Sequence, residues 1–140
     1  MEGMIFTERE LVYLRSQHLG RLGTIGPAGP QVRPTGFVLN DDGTIDIGGP
    51  ENAKSQKWRN LQKNPAVSFL VDDMTPDEPG EVRPGWGRGI EIRGHAELLT
   101  DHDPPYGGSW FSREVIRIHP RRVNSWHLDP EQLQYNRKVA

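Results

Sequence analysis

The sequence predicts a mainly β fold, a small antiparallel barrel of six to seven short strands with two short peripheral helices. Three observations point there. Gly 16 and Pro 12 in 140 residues punctuate the chain far more than a helical protein tolerates. Apolar residues alternate with period two, most cleanly at Ile90, Ile92, Gly94, Ala96 and Leu98 against Glu91, Arg93, His95 and Glu97. Helical spacing is confined to two short stretches, one after Thr7 and one around Trp58 and Leu61.

Composition bounds the rest. A chain of 140 residues is one domain, 1–140, with 129–140 read as a polar tail. Hydrophobic content of 34% implies a modest core, so further burial in a dimer interface is expected. A net charge of -2 and a pI near 6.2 argue against a nucleic-acid partner. With Cys 0, disulfides, thiolate metal sites and a cysteine nucleophile are excluded. No apolar run approaches the ~20 residues of a membrane helix. The segment MEGMIFTERE lacks the basic-then-apolar order of a signal peptide. A soluble, cytoplasmic protein is the expectation.

Thr7-Glu8-Arg9-Glu10 matches a capping box, predicting a helix from Glu8 to about Gln17. Leu19 to Gly26 reads as a strand, Gly26 to Pro30 as a turn, and Gln31 to Asn40 as the second strand of a hairpin. Pro34 removes a ladder donor there, which suits an edge, a bulge or a break, and Gly36 suits a close approach. Asn40-Asp41-Asp42-Gly43 is a turn before a third strand, Thr44 to Ile47. Glu51 to Pro65 is a helix with Asn52 as N-cap, Trp58 and Leu61 buried, and a stop at Asn64-Pro65. Ala66 to Asp72 is apolar enough for a strand buried on both faces. Asp73 to Gly87 is a long Pro/Gly loop, of the kind that is functional or mobile. After the alternating strand comes a second such loop, Thr100 to Gly108. Strands follow at Phe111 to His119 and Val123 to Leu128, with Pro120 as a break.

The chemistry gathers on the second helix. Lys54, Ser55 and Lys57 crowd its first turn, where lysine goes against the helix dipole. A helix N-terminus offers free N–H groups to an anion. Two readings stand: a solvated helix, or an anion site whose broken local rule marks function. Arg33 and Thr35 on the Pro-broken strand fall at the same barrel mouth, where cations and hydroxyls would suit a phosphorylated planar cofactor. Trp86 and Arg88 in the long loop suit stacking on a planar ligand.

Other chemistries lack their residues. The five histidines show no ligand spacing, and Asp101-His102-Asp103 reads as a turn, so no metal site is assigned. There is no Gly-x-Ser-x-Gly elbow, no Walker loop and no Rossmann fingerprint. No residue is assigned a catalytic role.

The order VRPTGF, Gly48-Gly49, KSQKWRNLQKNPAVSFLV, GRGIEIRGHAEL and IRIHPRRVNSW resembles the pyridoxamine-5′-phosphate-oxidase-like split β-barrels. It is most similar to the branch that uses the 5-deazaflavin coenzyme F-420. The resemblance runs from about Phe6 to Leu128. It implies an FMN-binding type of split barrel, and a homodimer with cofactor sites at the subunit interface. It implies that Ser55 and Lys57 hold the cofactor phosphate with Lys54 nearby, and that Val32, Arg33, Pro34 and Thr35 lie along the ring system. Trp86 and Arg88 would come from the partner subunit, and Asn60 would support the phosphate or, by preference, helix packing. Flavin-using relatives often carry Ser-Arg-Lys where this chain has Ser55-Gln56-Lys57; one phosphate contact is missing, which counts against flavin mononucleotide (FMN), the alternative cofactor, without itself assigning F-420. Arg117-Ile118-His119 spells a vitamin B6 substrate element but sits in a strand, so B6 oxidation is not expected. The implied activity is hydride transfer between F-420 and a small conjugated substrate. A carrier of flavin, haem or tetrapyrrole is the remaining reading.

Overall fold

A computed structural model describes residues 5–140; the first four residues of the MEGMIFTERE segment lie outside it. The capping box closes as its spacing requires. Glu10 N–H donates to Thr7 Oγ1 at 3.2 Å and Thr7 N–H donates to Glu10 Oε1 at 2.9 Å, opening helix α1, Glu8–Ser16. Eight strands follow among the described residues: β1 Gly20–Gly26, β2 Gly29–Thr35, β3 Val38–Leu39, β4 Ile45–Ile47, β5 Ala66–Met74, β6 Gly87–Leu99, β7 Val115–Asp129 and β8 Gln132–Lys138. All pairings are antiparallel, in the order β2-β1-β5-β6-β7-β4-β3, with β8 added to β7.

The expected second strand, Gln31 to Asn40, is in fact two. It breaks at Gly36 and Phe37, so β2 pairs with β1 while β3 pairs with β4. These strands are the two ends of the sheet order, yet a two-residue link joins them. Such a link spans only about 10 Å, so the two edges must meet and the sheet must roll into a barrel split along that seam. Pro34 therefore lies on an edge strand, where its missing donor costs no ladder bond.

Three further expectations change. Strand β5 is not buried on both faces: Val67, Phe69 and Val71 are buried, while Ala66 is exposed and Ser68 and Leu70 are half-buried. Pro120 does not end its strand. It sits at a register slip, with Arg93 opposite Arg122 and Gly94 opposite Pro120, so Arg121 bulges out and β7 continues. The polar tail folds as β8. It is held by Arg137, which donates to Glu10 Oε1 and Oε2 at 2.6 and 2.7 Å and to the Ile5 carbonyl at 2.7 Å. Ser125 Oγ donates to the same buried carboxylate at 2.6 Å.

The barrel interior is lined by Leu22, Ile45, Ile47, Phe69, Val71, Ile90, Ile92, Ile116, Ile118 and Val123. Tyr13 and Leu14 from α1, and Trp58 and Leu61 from the second helix, join the same core. That helix sits between β4 and β5 in sequence and packs mainly on β1.

Candidate anion and cofactor site

The stretch Glu51 to Pro65 folds in two pieces. A single 3-10 turn, Asn52–Lys54, precedes helix α2, Gln56–Lys63. The N-cap is Ser55 rather than Asn52. Ser55 Oγ accepts from Trp58 N–H at 3.2 Å and donates to the Asn52 carbonyl at 2.6 Å. Asn52 is 1% exposed; its amide donates to the carbonyls of Ile47 (3.3 Å) and Glu114 (3.1 Å), and its buried Oδ1 accepts from no N–H among the described residues, so it does not cap the helix. Lys54 consequently lies before the helix, exposed and paired with Glu51 at 3.1 Å. Lys57 is in the first helical turn.

The face of β2 that carries Gln31, Arg33 and Thr35 looks toward α2, as strand alternation requires once one of them is placed. Gln31 Oε1 accepts from the amide of Asn60 at 3.0 Å, and Asn60 also donates to Thr24 Oγ1 at 3.0 Å. Asn60 accepts in turn from Gln56 at 2.8 Å, so this buried amide locks α2 to the β1–β2 hairpin. Its role is packing. Lys57 stands one helical turn before Asn60, on the same side, and feels Arg33. Burial, and then the charge of Arg33, hold the Lys57 ammonium below the usual lysine pKa. Arg33 donates to its neighbour's carbonyl, Val32 O, at 3.0 Å. Among the described residues neither cation meets a carboxylate. Thr35 Oγ1 is buried with no hydrogen-bond partner.

The structure thus sets Arg33 and Thr35 on the strand face that looks toward α2, brings the Arg33 charge to bear on Lys57, spends Ser55 on capping, and leaves Lys54 to Glu51. Val32 and Pro34 occupy the other face of β2. Val32 is 59% exposed and borders a shallow apolar depression of about 370 Å³ with Ile25, Pro30 and Ala66. One edge of β2 has no strand partner, so part of its backbone hydrogen-bonding capacity faces outward.

Trp86 and Arg88 belong to a different cluster, at the turn between β5 and β6. Arg88 grips Asp73 through two bonds (2.8 and 3.2 Å) and reaches Glu81 at 3.1 Å. Tyr13 O–H donates to Asp73 at 2.8 Å, and the guanidinium lies 4.9 Å from the Tyr13 ring centre. Burial, first of all, pushes the Tyr13 phenol up, and the hydrogen bond it donates to Asp73 adds to that. Each nitrogen of the Arg88 guanidinium makes one bond within its own chain. Trp86 packs against His127 at 5.0 Å with Arg83 at 4.7 Å, and stays 39% exposed. No hydrogen bond, ion pair or stacking contact among the described residues links this cluster to Arg33 and Lys57.

The loop after β6 contributes residues that the sequence reading passed over. Tyr106 O–H donates to the Gly36 carbonyl at 2.7 Å and accepts from Gly48 N–H at 3.2 Å. Its ring lies where a Cβ on Gly36 would crowd it at 3.3 Å. Gly36 does serve a close approach, but the approaching group is Tyr106. Phe111 stacks edge-on against Tyr106 at 5.1 Å. An aromatic just before Gly107-Gly108, opposite a lone glycine in a broken strand, was the available signal.

Asp101 and Asp103 are both bound by Arg113, at 3.0 and 2.7 Å. No group of three or more His, Asp or Glu among the described residues is arranged to hold a metal. Arg117 is bidentate to Asp46 (2.8 and 2.9 Å) and His119 meets Glu97 at 2.9 Å, so the Arg-x-His spelling is spent inside the sheet.

Comparison with known proteins agrees with the fold. The sequence profile of the pyridoxamine 5′-phosphate oxidase family matches residues 6–135. A 5a,11a-dehydrotetracycline/5a,11a-dehydrooxytetracycline reductase from Streptomyces rimosus subsp. rimosus is 39% identical over 132 residues, covering 90% of this chain and 86% of that protein. A solved conserved hypothetical protein from Mycobacterium tuberculosis is similar with a TM-score of 0.66 at 27% identity, covering 100% of this chain and 96% of that one. A solved structure described as an F-420 reductase has a TM-score of 0.54 at 26% identity, covering 76% and 88%.

Proposed function

Because the chain belongs to the pyridoxamine 5′-phosphate oxidase family, we propose that it is an oxidoreductase moving a hydride between the deazaflavin coenzyme F-420 and a small conjugated substrate. The observation that carries this reading is the pair Arg33 and Lys57. The half-buried Lys57 ammonium lies within range of the Arg33 charge across the strand face that looks toward α2, and neither cation has an acidic partner among the described residues. Such a pair is costly unless an anion answers it. A phosphate group would, and the orphaned Thr35 hydroxyl supplies a further polar contact. The outward edge and exposed apolar face of β2 suit a planar ring system lying along Val32 to Thr35. These residues fit a phosphorylated, planar cofactor.

A reductase at 39% identity and a similar structure described as an F-420 reductase support the choice of chemistry and of cofactor. When bound, the deazaflavin supplies the hydride. The chain's own residues anchor, orient and exclude water. Lys57 and Arg33 neutralise the phosphate, and the β2 backbone sets the ring plane. Hydride transfer itself needs no acid or base from the protein, so no side chain is given that task. The side chain of Gln56, where flavin-using relatives often have arginine, is held by Asn60 and Arg59 rather than turned to an anion. Ile25 and Val32 are exposed on the edge hairpin, which suits burial against a second copy that completes the site, with Trp86 as the partner-facing aromatic.

The test is a side-by-side titration of purified protein with F-420 and FMN. F-420 is expected to bind and FMN to bind far more weakly. Lys57→Ala should lose about 1.5–3 kcal/mol of F-420 affinity, roughly ten- to hundredfold in Kd. Unchanged affinity in that variant would remove Lys57 from the site. A yellow protein that binds FMN preferentially would replace the deazaflavin reading with a flavin one. A haem absorption band without turnover would favour a carrier.

A further inference from the structure

Trp110 is 83% exposed, although tryptophan has more apolar surface to hide than any other side chain. Its surroundings are not loose. Just before it, Tyr106 is bonded to both Gly36 and Gly48, with Phe111 packed against its ring. Just after it, Ser112 N–H donates to the Gly49 carbonyl at 3.0 Å, and Ser112 Oγ accepts from Asn52 N–H at 3.1 Å. Between the two anchors the chain turns outward through Gly107 (φ 83°) and Gly108 (φ 53°), both left-handed. The strap therefore has a fixed base and, at its crest, an indole without a hydrogen-bond or stacking partner among the described residues.

The anchors locate the strap. Gly36 adjoins Thr35, and Gly49 to Asn52 lead directly into Ser55 and Lys57. The segment from Tyr106 to Ser112 is thus tied to the backbone that leads into both sides of the proposed cofactor cradle. An indole held there on a rigid base loses little freedom when a flat ligand stacks on it.

We propose that Trp110 is the stacking face that selects planar, conjugated substrates at this site. The proposal rests on the cofactor site described above and names the substrate class it takes. Residues Tyr106 and Ser112 act through the strap as positioning residues.

Menadione and camphorquinone separate the possibilities. Both are uncharged diketones of similar size, but only menadione is flat, and a chain with Cys 0 offers it no thiol. Calorimetric affinities are measured for the full-length protein, with and without F-420, for wild type, Trp110→Ala and Trp110→Phe. Trp110→Ala should weaken menadione at least tenfold, and Trp110→Phe should recover most of that. Camphorquinone binding, F-420 binding and melting temperature should stay within error. Failure of wild type to bind menadione below millimolar concentration overturns the proposal. So does equal loss for both diketones, or a lowered melting temperature, which would assign Trp110 to packing. A flat F-420 titration in wild type with menadione binding still dependent on Trp110 sinks the cofactor reading alone.

Discussion

At the scale of single residues, Lys57 carries the most consequence. Burial and Arg33 depress its pKa, so its charged form is disfavoured in the folded protein without ligand. Below the folded pKa the ammonium is charged in both folded and unfolded states, and the depression counts against folding. Stability therefore rises as pH climbs past the folded pKa toward the unfolded one. Anion binding has the opposite sign, since a phosphate prefers the charged ammonium. Cofactor affinity should be flat below the lowered pKa of Lys57 and fall by up to tenfold per pH unit above it. Lys57→Arg should abolish that fall across the same range, because arginine keeps its proton. A titration of Kd against pH checks this, and an identical fall in the arginine variant would refute it. Lys57 stands out in the sequence because a lysine in a first helical turn breaks a local charge rule, and the helix does place it in that turn. The cap was not. Asn52 and Ser55 both suit an N-cap, but the carbonyls of Ile47 and Glu114 hold the Asn52 side chain inward, where its Oδ1 meets no helix N–H. The second of these lies far along the chain, where local sequence gives no sign of it.

At the scale of elements, local chemistry fixed what local residues control. The capping box of α1, the Asn40 to Gly43 turn and the alternating strand β6 all stand as their residues imply. The misses share one cause, which is a partner remote in sequence. The break at Gly36 depends on Tyr106, and the passage of β7 through Pro120 depends on a bulge opposite Gly94. The strand β8 has polar residues because it packs by an ion pair rather than by an apolar face. Ser55 joins this scale to function, since its cap positions Lys57. Ser55→Ala should cost about 1 kcal/mol of stability, within the range of about 0.5–2 for a lost cap. Ser55→Asp should restore the cap but place a carboxylate beside Lys57. Urea melts should therefore rank wild type and the aspartate variant above alanine, while F-420 affinity should fall most in the aspartate variant. An aspartate variant that binds F-420 as tightly as wild type would place the phosphate elsewhere.

At the scale of the whole molecule, the barrel closes through contacts distant in sequence. The β2–β3 link brings the two sheet edges together, and β8 lies alongside β7 with Arg137 reaching Glu10 near the other end of the chain. Hydrophobic content of 34% leaves a modest apolar core, so this buried pair matters more than a surface bridge would. Glu10 is 2% exposed, and it also closes the capping box of α1 and accepts from Ser125. Removing Arg137 leaves a buried carboxylate with hydroxyl and amide donors but no counter-charge. Loss of one partner of a buried pair costs about 3–5 kcal/mol, a large share of a domain's net stability. Arg137→Ala should therefore lower the melting temperature by roughly ten degrees. Glu10→Gln combined with Arg137→Ala should recover part of this, because no charge is then left buried. Cofactor affinity of the folded fraction should be unaffected, since neither residue approaches Arg33 or Lys57. A melting temperature unchanged by Arg137→Ala would mean that β8 adds nothing to closure, and that the tail merely rests on β7.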